Sequence, residues 1–259
     1  MIPSLPRIMI APNGARRMKT DHRALPITVT ETVEAAKACF DAGADALHAH
    51  VRDREGKHVL DAHLYQDLIA VMAEQVPDML VQITTEAVGM YSAKEQRDLV
   101  DAVKPRSVSV ALREQIPNAP YDAARDFYHQ SWQNSIAVQH ILYSPDEFKQ
   151  LLRYVDAGVI PPDNLQCLFV MGRYNKDFQS NLSELDPFLA LIRATQADFA
   201  TDWAVCAFGF AETDCLVAAL KAGGKARVGF ENSLWHKDGS LARNNADRVR
   251  EIVRLMPES

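Results

Sequence analysis

The sequence predicts an α/β protein with a (β/α)8 barrel, and three observations support that prediction. Runs of β-branched and apolar residues alternate with runs of helical spacing along the whole 259-residue chain. Eight such units occur, of roughly 32 residues each, which is enough for one strand and one helix apiece. No linker, low-complexity tract or change of composition divides the sequence, so we expect one barrel domain over residues 1–259.

The alternative fold is a doubly wound open sheet. Such a sheet usually has fewer strands and carries a glycine-rich loop for a nucleotide phosphate. Neither a GxGxxG nor a GxxxxGK[ST] motif occurs in the sequence. The barrel therefore remains the predicted fold.

The eight strands can be placed from their apolar runs. They are predicted at residues 7–11, 46–51, 80–85, 107–112, 135–143, 165–171, 202–208 and 226–230. In the first helix, Thr28 and Glu31 predict a capping box at the start, and Gly43 predicts the end.

Later helix ends are also predicted. Ser144, followed by Pro145, predicts a helix start with a capping serine and a proline in the first turn. We expect the helix after the sixth strand to start at Ser183, and the last helix to run from about 241 to 255.

The composition excludes some classes of function. The chain is 47% hydrophobic and 24% charged, and its net charge is −6, which argues against nucleic acid or an anionic membrane as a partner. It has no apolar run long enough to span a membrane and no signal-peptide pattern at its start. The four cysteines lack CxxC spacing and read as reduced core residues, so we expect a cytoplasmic protein.

Two histidines, His48 and His50, end the second predicted strand. Alternate residues of a strand share a face, so both imidazoles point the same way. Core packing does not require such a pair, whereas binding of a divalent metal such as zinc does require paired ligands of this kind. The alternative is a solvated strand end. The best third ligand is Glu231 at the end of strand eight, with Glu86 and Glu114 as weaker candidates.

Polar residues follow the other predicted strands as well. Because reactive groups of such barrels come from the carboxyl ends of the strands, we expect these side chains to form one polar pocket. They are Asn13, Arg16, Thr84, Thr85, Glu86, Ser109, Arg113, Glu114, Gln139, His140, Tyr143, Arg173, Glu212, Arg227, Glu231 and Asn232. Arg16 and Arg17 follow Gly14 and fit either an anion-binding loop or a surface pair. The remaining histidines, His140 excepted, are predicted to be solvated or structural: His22, His58, His63, His129 and His236.

Several segments together resemble a known family. They are residues 11–14 (APNG), 25–28 (LPIT), 42–44 (AGA), 48–53 (HAHVRD), 82–85 (QITT) and 227–232 (RVGFEN), and they resemble the β-keto acid cleavage enzymes in order along the whole chain. The resemblance implies a zinc-bearing (β/α)8 barrel that condenses a β-keto acid with acetyl-CoA, giving acetoacetate and a new CoA thioester.

The resemblance also implies roles for particular residues. The zinc ligands would be His48, His50 and Glu231. Thr84 and Ser109 match hydroxyl positions near the substrate, and Arg227 matches an arginine that takes part in proton movement. Asn13 joins them as an expected substrate-binding residue.

The sequence departs from the family pattern at four places. Asn232 stands where the family has an aspartate that partners the arginine, and an amide cannot act as a carboxylate base. Glu86-Ala87 replaces a Gly-Gly pair. Arg16 and Gln139 replace acidic positions that hold a substrate amine in one branch. We therefore expect a substrate without an amino group, with a neutral or anionic tail.

Two other functions remain open at this point. An amidohydrolase-type metal hydrolase also uses an HxH pair in a barrel, although there the pair lies on the first strand. A barrel that binds metal but has lost catalysis would also fit Asn232. We expect a homo-oligomer, a dimer or tetramer, with Trp132, Trp203 and Trp235 as candidate contact residues.

Overall fold

Eight parallel strands close into a barrel in the computed structural model, which describes residues 2–116, 118–173 and 176–256. Each strand pairs with its neighbours in sequence, and β1 also pairs with β8. The strands are β1 Ile8–Ile10, β2 Ala46–Ala49, β3 Leu80–Thr84, β4 Ser107–Ala111, β5 Ala137–Leu142, β6 Leu165–Met171, β7 Thr201–Ala207 and β8 Lys225–Val228. The predicted (β/α)8 barrel is confirmed.

Helices connect successive strands around the outside of the barrel. They are α1 Val29–Asp41, α2 Ala62–Gln75, α3 Ala93–Val103, the single-turn α4 Leu112–Gln115, α5 Asp122–Gln133, α6 Pro145–Asp156, α7 Asp186–Thr195, α8 Glu212–Lys221 and α9 Asn245–Leu255. Two 3-10 turns, Lys176–Phe178 and Leu182–Glu184, precede α7. No helix in the described ranges has the length and apolar character required to cross a lipid bilayer.

The predicted helix starts are confirmed where capping chemistry is strong. The Thr28 hydroxyl accepts a hydrogen bond from the Glu31 amide, and the Glu31 carboxylate accepts one from the Thr28 amide. Ser144 accepts from the amide three residues on, and Pro145 occupies the first turn. These local hydrogen bonds satisfy amides that a helix start otherwise leaves free.

Two predicted helix starts are wrong. The helix predicted at Ser183 begins at Asp186, because Asn181 caps a separate 3-10 turn that contains Ser183. The last helix begins at Asn245 rather than near residue 241, because Asn244 caps it and Leu241 pairs with Trp235 in the preceding loop. An asparagine side chain thus caps the 3-10 turn before α7 and the start of α9, because it competes well for free amides.

The barrel has an apolar layer on each side of its sheet. The larger cluster packs the outward side chains of the strands against the helices, with Leu47, Ile83 and Phe169 among its fully buried members. A smaller cluster lies inside the barrel and includes Leu168 and Cys206. Since strand side chains alternate, His48 points inward while its neighbour Leu47 packs outward.

Candidate active site

A cleft opens at the carboxyl end of the barrel strands. It encloses about 620 Å³, counting the part open to solvent, and it lies where barrels of this type carry their reactive groups. All eight strands or the loops after them contribute to it. Its lining consists of Asn13, Gly14, Ala15, Arg16, Arg17, His48, His50, Thr84, Glu86, Ala111, Ile141, Tyr143, Val170, Arg173, Phe208, Arg227 and Glu231.

Two imidazoles and one carboxylate meet on one side of the cleft. The Nε2 atoms of His48 and His50 are 3.2 Å apart. The Oε2 atom of Glu231 lies 3.6 Å from the first Nε2 and 3.4 Å from the second. The three potential ligand atoms fall within 4.8 Å of one another, so they could hold one metal ion. Both histidines are buried, and Glu231 is nearly so.

The hydrogen bonds behind the imidazoles fix their tautomers. His48 Nδ1 lies 2.8 Å from Gln82 Oε1, and the Gln82 amide nitrogen is held as a donor by Ser107 and Gln139. The Gln82 oxygen must therefore accept, which places the proton of His48 on Nδ1. Its Nε2 then carries a lone pair that faces the carboxylate.

A third histidine orients His50 in the same way. His58 Nε2 lies 3.0 Å from the Glu86 carbonyl oxygen, which can only accept, so His58 donates there. Its Nδ1 is then an acceptor, 3.4 Å from Nδ1 of His50. That distance assigns the His50 proton to Nδ1 and leaves a lone pair on Nε2.

The donor set therefore fits a divalent metal. Two Nε2 lone pairs face each other, and Oε2 of Glu231 has no hydrogen-bond partner among the described residues. Three electron-pair donors converging in a buried space repel one another unless a cation lies between them.

The charges in the site are set by burial and by Arg227. Burial alone would raise the pKa of Glu231, but the Arg227 charge holds it well below its usual range. Burial and the Arg227 charge together hold the pKa of His48 well below its usual value. Burial would lower the pKa of Arg227, yet Glu231 raises it. The site thus contains a carboxylate, a neutral imidazole at His48 and a guanidinium.

The backbone around Glu231 is held on several sides. Gly229 has φ of 142°, and a Cβ there would lie 2.4 Å from the Ala11 carbonyl oxygen, so a glycine is required. The buried Glu212 accepts from the Gly229 amide, and Arg17 donates to the Phe230 carbonyl. This turn directs Glu231 back towards β2, even though its strand ended three residues earlier.

Seven further predicted residues line the cleft, Tyr143 and Arg173 among them. Arg227 Nη1 is 3.3 Å from His48 Nε2, and its Nη2 donates to Glu231 Oε1. Thr84 accepts from the Glu86 amide and can direct its hydroxyl proton elsewhere. Asn13 Nδ2 donates to the carbonyls of Pro26 and His50, which ties the first loop to the metal-ligand strand. The remaining two are Arg16 and Glu86.

Three residues predicted to act in the site do not line the cleft. Gln139 lies beneath His48 and accepts from Gln82, so it supports a candidate metal-ligand histidine from below. Ser109 and Asn232 are fully buried, and neither side chain has a hydrogen-bond partner among the described residues. Catalytic roles for Ser109 and Asn232 stay predictions.

Other polar residues of the strand ends have contacts outside the cleft. Thr85 donates to the Ser109 carbonyl, and Glu114 accepts from the Ala87 amide. Arg113 pairs with Glu147. His140 packs on Tyr128, and burial lowers its pKa to about 3. The convergent pocket is therefore formed by a subset of the predicted residues.

Sequence reasoning missed two supporting residues, His58 and Gln82. Residues 53–56 (DREG) are a turn sequence, and Asp53 accepts from the amides of Glu55 and Lys57. The turn sends the chain back beside Arg52, which opposes His58 in an antiparallel bridge. Recognising that turn would have placed His58 next to His50.

The fold and the site together define a (β/α)8 barrel with a candidate His-His-Glu metal centre at the carboxyl end of its strands. Residues 7–259 match the beta-keto acid cleavage enzyme family, and the chain belongs to that family.

Individual relatives agree with this membership. The 3-keto-5-aminohexanoate cleavage enzyme of Fusobacterium nucleatum is 25% identical over 252 residues, covering 95% of this chain and 89% of that protein. The 3-oxoadipate:acetyl-CoA acetyltransferase of Cupriavidus necator is 26% identical over 258 residues, covering 97% and 88%.

Solved structures support the fold alone. Apo ObcA matches with a TM-score of 0.68 at 18% identity, over 89% of this chain. The chain spans 61% of the length of ObcA.

Proposed function

We propose that this protein is a zinc-dependent β-keto acid cleavage enzyme, which condenses a β-keto acid with acetyl-CoA to give acetoacetate and a new acyl-CoA. The observation that carries the proposal is the convergence of His48, His50 and Glu231 beside Arg227 in the cleft of a chain that belongs to this family. Relatives named as an acetyl-CoA acetyltransferase and an acetyl-CoA acetone transferase support the same reaction class.

The metal is the first element of the proposal. His48, His50 and Glu231 would hold zinc, which two imidazoles and one carboxylate suit, with open positions left for substrate. A zinc ion there supplies Lewis-acid polarisation of the keto oxygen of the substrate.

The protein's own side chains account for binding and charge. Arg227 stays protonated, so its guanidinium stabilises negative charge that develops on the substrate beside His48. Thr84 can donate a hydrogen bond to the bound acid, since its oxygen already accepts from the Glu86 amide. Asn13 holds the first loop against the His50 backbone, and this fixes the cleft wall.

The charges at the cleft support a substrate without an amino group. Glu86 lies 4.0 Å from Arg173, so its carboxylate is shared with that cation rather than left for a ligand. Arg16 is exposed at the cleft and adds a positive charge. An ammonium tail would meet like charge there, whereas a neutral or anionic tail would not.

Turnover measurements test the proposal. The zinc-loaded protein is assayed with acetyl-CoA and a panel of β-keto acids, following formation of acetoacetate. We expect turnover by the wild type, loss of more than about 100-fold in Glu231→Gln, and faster turnover in Asn232→Asp, because the variant restores the carboxylate that the family pattern has at this position. A wild type that retains zinc but turns over no β-keto acid would favour a barrel that has lost catalysis.

A further inference from the structure

We propose that the cleft selects a β-keto acid with an uncharged, apolar tail, and that this tail lies against a wall formed by Ala111, Ile141, Val170 and Phe208, here called the apolar wall. The assignment of a β-keto acid as substrate rests on the proposed function. The chemistry of the tail rests on the wall, whose four side chains carry neither charge nor a hydrogen-bonding group.

The order of the strands places the apolar wall across the cleft from the metal ligands. His48 and His50 come from β2 and its end, and Glu231 follows β8, so these strands flank β1. In a ring of eight strands the opposite arc is β4 to β6, and β7 lies between that arc and β8. The four wall residues lie on or directly after these strands, one on each. A substrate whose keto acid end is at the metal therefore extends its tail towards them.

The apolar wall is backed by further apolar packing. Ala111, Ile141 and Val170 belong to the cluster inside the barrel, together with Leu168 and Ala204, and Phe208 packs against it. Water that covers the wall in the free cleft has no polar partner on it. Displacing this water by a hydrocarbon chain is favourable, and placing an ion there is not.

Two residues of β5 explain why the sequence did not predict whether the substrate tail is apolar or charged. Gln139 is expected from the sequence to contact the substrate, but it lies in the layer beneath His48. Two residues further along the strand, Ile141 faces the cleft. The polar residue is used to support the metal site, and the residue that meets the ligand is aliphatic.

The rim beside the apolar wall offers little to a charged tail. The Arg173 guanidinium lies 5.4 Å from the ring centroids of both Phe178 and Phe208 and 4.0 Å from a Glu86 carboxylate oxygen. Its charge is thus shared with two aromatic faces and an acid before any substrate arrives. A terminal carboxylate would have to compete with Glu86, and a terminal ammonium would meet Arg173.

Binding and turnover measured on one substrate series test this inference. The series comprises straight-chain 3-oxo acids of increasing length, and analogues of 3-oxohexanoate with a terminal ammonium or carboxylate. Calorimetry on the zinc-loaded protein without acetyl-CoA gives Kd, and assays with acetyl-CoA give kcat/KM. We expect affinity to rise about four-fold per added methylene until the wall is covered, and both charged analogues to bind at least ten-fold more weakly.

Two substitutions and a matched control locate the effect. Ile141→Glu should reverse the order of affinities, so that the ammonium analogue binds better than the apolar acids. Val170→Thr, of nearly equal volume, should weaken the binding of the apolar acids alone. Ile141→Met keeps the wall apolar and should leave the order unchanged. Zinc content and Tm of each variant report on folding.

The outcomes separate this inference from the proposed function. Tight binding of the apolar acids without turnover upholds the apolar tail and overturns the reaction. Turnover with a preference for either charged analogue upholds the reaction and overturns the apolar tail. Failure of every 3-oxo acid to bind overturns both.

Discussion

At the scale of single residues, the candidate metal centre depends on which imidazole nitrogens carry protons. Gln82 and His58 each stand behind one histidine and leave its Nε2 free. The pair His48 and His50 could be predicted from the sequence, because strand alternation places both side chains on one face. Gln82 could not be predicted, because it lies on β3, which only the folded sheet brings beside β2, whereas His58 can be predicted only once the turn at residues 53–56 is recognised.

His58 gives a prediction at this scale. We expect His58→Ala to weaken zinc binding by about 10–100-fold, because Nδ1 of His50 loses its acceptor and the ring can rotate or change tautomer. A competition titration against a zinc chelator measures the affinity. Nitrogen-15 NMR of the metal-free protein checks that both ligand histidines carry their proton on Nδ1.

The control for that measurement is an exposed histidine. His63→Ala should bind zinc as the wild type does, since the side chain is exposed on α2. His58→Asn keeps an oxygen that can accept from His50 and should recover part of the lost affinity. Wild-type affinity in His58→Ala would show that His50 needs no such partner.

At the scale of elements, α8 and α9 are locked together behind the turn that carries Glu231. Arg248 is fully buried, with Glu212 of α8 on one side and Glu251 of α9 on the other. Glu212 also accepts from the Gly229 amide, so the network reaches the backbone of the turn. This network was not predicted from the sequence: Glu212 was expected in the polar pocket, which it does not line, and Arg248 and Glu251 on a helix are typical of surface charges.

Replacement of Arg248 should therefore destabilise the fold. We expect Arg248→Met to lower the free energy of unfolding at pH 7 by about 3–5 kcal/mol, because two buried carboxylates lose their cation. Urea denaturation measures the change. Arg250→Met, on the same helix but largely exposed, is the matched control and should cost less than about 1 kcal/mol.

The loss of unfolding free energy in Arg248→Met should depend on pH, with a sign that Glu212 determines. Burial raises the pKa of Glu212 to about 7 even with Arg248 beside it. A carboxyl with a raised folded-state pKa favours folding at low pH and disfavours it as the pH rises towards 7. The difference between Arg248→Met and wild type should thus shrink at pH 5, where Glu212 is protonated. An equal loss at both pH values would contradict the assignment.

At the scale of the whole molecule, the barrel closes where the candidate metal ligands meet. β1 pairs with both β2 and β8, and the candidate ligands come from these two neighbours. An ion bound there would tie together segments that are more than 180 residues apart along the chain. The expected homo-oligomer finds less support in the tryptophans, because Trp203 is buried against Phe169, although Trp132 is exposed.

Removal of metal should lower the stability of the whole barrel. A ligand that binds only the folded state adds about 4 kcal/mol at a thousand-fold excess over its Kd. We expect a chelator to lower Tm by several degrees, and added zinc to restore it. In Glu231→Gln the shift should disappear, whereas Glu114→Gln, a carboxyl near the cleft but outside the triad, should retain it. An identical Tm with and without metal in the wild type would refute a contribution of bound metal to the stability of the barrel.

Sequence patterns alone predict the strand and helix alternation, the capped starts of α1 and α6, and the three candidate ligands. All of these depend on patterns a few residues long or on the rule that barrel strands present their carboxyl ends together. Tertiary structure decided which other polar residues face the cleft. Ile141 and Gln139 lie on one face of one strand, but their height along the barrel axis assigns the first to the cleft and the second to the layer beneath His48. That height depends on the tilt and stagger of all eight strands, a property of the closed ring that no local segment encodes.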